Sequence, residues 1–148
     1  MVSVERATTA TIGDWAEMRS ALWPHASRPE LEREAAALLL KKPAAVAFLL
    51  RADARTVGFA EATVRVDYVN GCSTTPVAFL EGIYVQPEWR RRGAARLLCR
   101  AVEAWAGEQG CRELASDTEI DNQTSQAMHE ALGFAESERV VCYHKRLD

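Results

Sequence analysis

The chain has 148 residues, 48% of them hydrophobic and 26% charged, with a formal net charge of -3. That length is enough for one domain, 1-148, with its own core, and the composition is that of an ordinary globular protein. An acidic balance without a basic stripe speaks against nucleic-acid binding, and no apolar run approaches the ~20 residues that a membrane span needs. The four cysteines, Cys72, Cys99, Cys111 and Cys142, lie far apart without a CxxC pair or metal-ligand spacing. They read as reduced thiols, and no metal is expected. The opening residues MVSVERATTAT hold no apolar signal core, so a cytoplasmic location is expected.

In chain order, Val2 to Ala7 predicts a first short strand. Thr11-x-x-Asp14 looks like a capping box, and Trp15, Met18 and Leu22 fall on one face of the helix that follows. Trp23 to Pro29 breaks that helix. Ser27 and Glu30 offer a second cap, Leu31, Ala35, Leu38 and Leu39 form the next apolar stripe, and Pro43 closes it. Val46 to Ala52 is an almost unbroken apolar run, and Ala52 to Arg55 reads as a turn. Thr56 to Tyr68 reads as a longer strand, and Asn70-Gly71 is a hairpin signal.

Val77 to Val85 is the most strand-like run in the chain, ended by Gln86-Pro87. The helix after Gly93 is predicted to bury Ala94, Leu97, Leu98, Ala101, Val102 and Trp105, and Gly107 and Gly110 stop it. Arg112 to Thr118 reads as a buried strand. Asn122 or Thr124 caps a short helix with Ala127, Met128, Ala131 and Leu132 on one side and Gly133 as its C-terminal cap. Glu138 to Leu147 predicts a closing strand. The order β-α-α-β-β-β-α-β-α-β indicates an α/β fold with a mixed sheet.

Two stretches carry chemistry. In "VQPEWRRRGAARLLCR", three arginines precede Gly93-Ala94-Ala95 at the start of a helix. The first turn of a helix leaves N–H groups without partners and adds partial positive charge, so an oxyanion suits the place. Glycine and alanine let a phosphate approach, and arginines add charge-assisted contacts. The alternative is a solvated basic turn. The second stretch is Glu81-Gly82 inside an otherwise apolar strand. Glycine there suggests a bulge or a close approach, and Glu81 is either ion-paired with an arginine or faces a cavity that receives a cationic amine.

Arg90-x-x-Gly93-x-Ala95 resembles the (Q/R)xxGx(G/A) motif of the GNAT N-acetyltransferases, and the element order fits over nearly the whole chain. The resemblance implies a mixed, mostly antiparallel sheet with a V-shaped splay, and acetyl-CoA as cosubstrate between Val77–Val85 and Arg112–Thr118. Its pyrophosphate is expected on the segment Arg91, Arg92, Gly93, Ala94, Ala95, with Arg90 and Asn122 nearby, and its pantetheine along Ile83, Tyr84 and Val85. Leu22-Trp23-Pro24, Asp67 to Cys72, Phe79 to Ile83, Gly110 to Glu113, Ala115 to Thr118 and Ala131 to Phe134 resemble the small aminoglycoside 6'-N-acetyltransferases. On that likeness Glu81, Asp117 and Glu138 form an acidic wall for an aminoglycoside, with Trp23, His25 and Tyr68 around its sugar rings.

The chemistry implied is direct acetyl transfer, with Glu81 or Asp117 as base and a backbone N–H near Ile83 on the thioester oxygen. Many members of the family it resembles carry a tyrosine where this chain has His129, so His129, Tyr143 or no residue protonates the departing thiolate. A homodimer is expected, with the apolar run Val140 to Tyr143 near the interface. Another cationic acceptor, such as a polyamine or peptide amine, and a non-catalytic acyl-CoA sensor are the alternatives.

Overall fold

The computed structural model describes residues 1–148. Its elements are β1 (Val2–Arg6), α1 (Ile12–Leu22), α2 (Arg28–Leu39), β2 (Ala45–Ala52), β3 (Arg55–Arg65), β4 (Val77–Val85), α3 (Ala94–Glu108), β5 (Leu114–Ser116) and α4 (Gln123–Ala131). One sheet holds the strands in the order β1-β2-β3-β4-β5. The first three pairings are antiparallel and β4 pairs with β5 in parallel.

Helices cover both faces. On one, α3 places Leu98, Val102 and Trp105 against Leu50, Val57, Leu80 and Ile83, and Met128 and Leu132 at α4 join the same cluster. On the other, Trp15, Met18, Ala35 and Leu38 pack on Leu49 and Phe59. Coverage on both sides explains why β2 reads as continuously apolar. Burying each large side chain contributes about 1.5–3 kcal/mol, so these two layers hold the sheet flat against its helices. Inside the second layer, Arg19 Nη2 and Nε donate to the two oxygens of Glu61 at 2.9 and 3.0 Å, and Trp15 Nε1 donates to Glu61 at 2.9 Å. Such a fully bonded buried pair fixes geometry more than it adds stability, because desolvation offsets the attraction.

Local signals account for the helix starts. Ser27 Oγ accepts from the Glu30 N–H at 3.3 Å, as the cap at α2 requires. At α1 the capping box sits earlier than expected, with Thr8 and Thr11 as its reciprocal pair around a short 3-10 turn. The cysteines are all free, and burial pushes the Cys99 thiol up to about 12, with Glu103 adding to the shift.

Three expectations change. Asn70-Gly71 does not make a tight hairpin; residues 66–76 form a long loop between β3 and β4. Glu113 clamps it, accepting from the Ser73 and Thr74 N–H groups at 3.0 and 2.8 Å and from the Thr74 hydroxyl. The Thr74 hydrogen bonds hold the Glu113 carboxyl below its ordinary range, so the clamp is present above that range and is lost only as acid protonates it. The strand predicted over Arg112 to Thr118 keeps only Leu114–Ser116. Glu138 to Leu147 forms no strand: residues 134–148 have no regular structure, and Val140, Val141, Tyr143 and Leu147 are exposed. A strand needs a neighbour, and within one chain this segment has none. No helix is long and apolar enough to cross a membrane.

Candidate active site

The site grows from a register fault. On β3, Glu61 faces Gly82 while the next residue, Ala62, faces Leu80, so Glu81 is the extra residue of a bulge in β4. On its other side β4 has partners only for Ala78, Phe79 and Leu80, opposite Leu114, Ala115 and Ser116. Beyond Leu80 the two strands part, and the segment Glu81 to Val85 has no β5 partner. Apart from the Val85 carbonyl, which Arg90 occupies, its backbone groups on that side have no strand partner and can pair with an extended, amide-bearing ligand, as a neighbouring strand would.

Gly82 answers to a different neighbour than a ligand. A Cβ built on it would lie 2.8 Å from two ring atoms of Trp23, so glycine there makes room for the indole. Trp23 follows the last residue of α1, stands edge-on to Phe59 at 5.9 Å, and has the Arg19 guanidinium 4.8 Å from its ring centre. The buried Arg19–Glu61 pair therefore sets the position of Trp23, a link that no local pattern in the sequence reveals.

Glu81 is both ion-paired and accessible. Its Oε2 accepts from Thr63 Oγ1 at 2.6 Å and from Arg65 Nη2 at 3.0 Å, and its side chain is 28% exposed. Arg65 also lies over the Phe79 ring, 3.6 Å from its centre. Sequence reasoning missed Thr63 and Arg65, although their alternation marks one face of β3. Only the register brings that face to the bulge.

At the far end of β4, Arg90 Nε donates to the Val85 carbonyl at 2.7 Å and its guanidinium lies 5.5 Å from the Tyr84 ring, so Arg90 braces the strand end. Arg92 lies 5.2 Å from the Trp89 ring. Arg91 takes a φ of 60° and Gly93 one of 80°. A left-handed residue followed by a right-handed one, as Gly93 is by the first helical residue Ala94, turns successive N–H groups inward as an anion-binding nest. The first bond of α3 in the main chain runs from the Leu97 N–H to the Gly93 carbonyl, which leaves the N–H groups of Ala94, Ala95 and Arg96 without helical partners. Around Gly93 the space is open: an added Cβ would meet nothing within 4 Å. Ala94 is buried and holds the helix start against the core.

The other expected residues are scattered by comparison. Tyr68 is 74% exposed in the clamped loop, and His25 is exposed in the turn between α1 and α2. Asp117 is exposed immediately after β5, beside the splay. Asn122 spends its side-chain oxygen as the cap of α4, accepting from the Ser125 N–H at 3.0 Å. Glu138 and Tyr143 lie in the segment 134–148, with Tyr143 91% exposed. Within one chain that segment is not gathered with Glu81.

A splayed β4–β5 pair beside the open start of α3 suits an extended ligand that ends in phosphates, and a family model matches most of the chain. The model of the acetyltransferase (GNAT) family matches residues 12–134. The chain belongs to the GNAT family. As a GNAT acetyltransferase it is an acetyl-CoA-dependent N-acetyltransferase. It is 53% identical over 134 residues to an aminoglycoside N(6')-acetyltransferase type 1 of Serratia marcescens, covering 90% of this chain and 91% of that one. It is 47% identical over 146 residues to a protein of the same name from Stenotrophomonas maltophilia, covering 99% and 94%. Among solved structures it is similar to aminoglycoside N-acetyltransferase AAC(6')-Iy in complex with CoA, at 41% identity and a TM-score of 0.95 over 99% of this chain and 96% of that one. The same protein in complex with a bisubstrate analogue, CoA-S-monomethyl-acetylneamine, gives 41% identity and a TM-score of 0.94 over 99% of both chains.

Proposed function

We propose that this GNAT protein transfers the acetyl group of acetyl-CoA to the 6'-amine of an aminoglycoside. The observation that carries the reading is the unpaired stretch of β4. One strand presents a bulged carboxylate, Glu81, at its splay and runs to a phosphate nest at its end, in a chain 53% identical to an aminoglycoside N(6')-acetyltransferase.

The residues divide the work. The segment Arg91 to Ala95 holds the pyrophosphate, with the free N–H groups of the α3 start as donors. The backbone of Ile83, Tyr84 and Val85 pairs with the pantetheine amides, and an N–H near Ile83 polarises the thioester oxygen. Glu81, Asp117 and Glu138 attract the cationic substrate, and Trp23 and Tyr68 offer ring surfaces to its sugars. An ammonium must lose its proton before it attacks. Glu81 or Asp117 takes it, directly or through one water. Arg65 keeps Glu81 from being an isolated charge before substrate arrives, and the incoming ammonium takes over part of that pairing.

The same reading includes a homodimer. The segment 134–148 exposes Val140, Val141, Tyr143 and Leu147, and β5 is a three-residue edge strand with partners on one side only. Both are surfaces that a second copy covers. Light scattering at micromolar concentration should give twice the chain mass of 16.4 kDa, and a monomer mass would count against the dimer.

The position of transfer is tested with kanamycin-like substrates that carry a 6'-amine and with 6'-hydroxyl analogues of otherwise similar charge. Both should bind, because most ionic contacts are shared. Only the amine should release CoA at a useful rate, since a neutral hydroxyl is a far weaker nucleophile and only one group can lie at the ~3–3.5 Å attack distance. Equal turnover, or a product acetylated on a 2-deoxystreptamine amine, would refute the position.

A further inference from the structure

The point where β4 and β5 part is occupied by two side chains, Ser116, which has no part in the reading so far, and His129, one of the groups the resemblance left open as thiolate acid. Ser116 ends β5 opposite Leu80, the last β4 residue to have a partner there. Its Oγ lies 3.3 Å from the Leu80 carbonyl oxygen and 2.8 Å from His129 Nε2. Across the imidazole, Nδ1 lies 2.7 Å from the Ser125 carbonyl oxygen, one helical turn back along α4, and at a longer 3.4 Å from the Ser125 hydroxyl. The ring rests against Phe134, with 5.2 Å between centroids. Both Ser116 and His129 are half-buried, and the partners of both ring nitrogens are uncharged.

Counting hydrogens shows what this chain of atoms can do. A carbonyl only accepts, so Nδ1 carries a hydrogen. In the neutral ring Nε2 is then an acceptor, and the single Ser116 hydrogen must point at it. In the imidazolium, Nε2–H donates to Ser116, and the serine hydrogen is released to the Leu80 carbonyl or to any acceptor at the splay. The two protonation states differ by one proton and one swing of a hydroxyl, with every heavy atom in place.

We propose that Ser116 protonates the departing CoA thiolate and that His129 resupplies the proton. The inference rests on the acetyltransferase reading. As the C–S bond breaks, its electron pair stays on sulfur, the Ser116 Oγ–H proton passes to the sulfur, and the His129 Nε2–H proton passes to Oγ. His129 is left neutral with Nδ1 protonated, and solvent recharges it. The amine nitrogen forms the new C–N bond and loses two protons from its ammonium form by way of the base. One proton returns through His129, so each turnover releases one proton overall. Ser116 is the catalytic residue here, and His129 acts through it.

The test compares Ser116→Ala, Ser116→Thr, His129→Ala and the Ser116→Ala/His129→Ala double variant. Each alanine should lower kcat by about 100-fold, the low end for a general acid, with CoA affinity by calorimetry unchanged. The double variant should be no worse than either single one, since both break the same relay. Added imidazole should revive His129→Ala and leave the reduced kcat of Ser116→Ala unchanged, and Ser116→Thr, which keeps a hydroxyl, should lose less than Ser116→Ala. A second readout needs no acceptor. The thiol of bound CoA, followed by thiolate ultraviolet absorbance, should ionise at lower pH in the wild type than in either alanine variant, because the relay donates a hydrogen bond to the thiolate. Wild-type kcat in either alanine variant, additive losses, or the same thiol titration in all three proteins would overturn the relay. Failure of the wild type to acetylate any aminoglycoside would instead overturn the acceptor assignment, and the titration would still report on the relay.

Discussion

Valine in place of Gly93 should abolish measurable acetyl-CoA binding while the protein still folds. Gly93 has a φ of 80°, a region in which β-branched residues are outliers, and an added Cβ meets no atom of the protein. The fold therefore suffers only local strain of about 1–3 kcal/mol, set against a typical stability of about 5–15 kcal/mol. The ligand suffers more, because the isopropyl group occupies the space in front of the unpartnered N–H groups of Ala94, Ala95 and Arg96. Charge-assisted hydrogen bonds contribute about 1.5–3 kcal/mol each, and losing two of them lowers affinity by at least about 100-fold. Gly93→Asn separates strain from occlusion, since asparagine tolerates a left-handed backbone but still fills the nest. Calorimetry should show both variants folded and both deficient in binding. Near-wild-type affinity in folded Gly93→Val would remove the cradle from Arg91 to Ala95.

How much of this was written in the local sequence depends on how far each feature reaches. Val77 to Val85 runs over the residues predicted, because an apolar run bounded by Pro76 and Pro87 needs only its own pattern to announce a strand. The bulge at Glu81-Gly82 was also legible, since glycine inside such a run is rarely accidental. Its reason was not. Gly82 makes room for Trp23, which is held from behind by Arg19 on α1 and Glu61 on β3, and such a contact depends on how layers stack. The partners of Glu81 were hidden in the same way, because placing Thr63 and Arg65 beside it needs the β3–β4 register, and a shift of one residue would turn both away.

The segment from Glu138 to Leu147 shows the opposite limit. Its residues have a strand's pattern, but a pattern specifies a face and not a neighbour, and one chain supplies none. His129 stood out by resemblance as one possible acid, but Ser116 did not. Their meeting depends on α4 crossing the end of β5, which spacing along the chain does not encode.

Glu81→Gln should lower kcat/KM for a polycationic amine by about 100-fold or more, and Asp117→Asn should lower it less. The amide keeps the size of the Glu81 side chain and one acceptor for Thr63, so the bulge persists. The Arg65 left behind is 44% exposed and can turn to water, which spares the fold the cost of a buried orphan charge. On the proposed reading the substitution removes a carboxylate that draws the ammonium and, if Glu81 rather than Asp117 is the base, the group that takes its proton, and general bases contribute typically 100- to 10,000-fold. The attraction is screened by salt and the proton transfer is not. Raising ionic strength should therefore weaken the wild type more than the variant and narrow, without closing, the gap between them. Asp117 is exposed, so its variant should lose mainly the salt-sensitive part and appear in KM more than in kcat. If neither substitution changes the kinetics at low salt, Glu81 is only the partner of Arg65 and Asp117 only the end of a strand, and the base must be sought elsewhere.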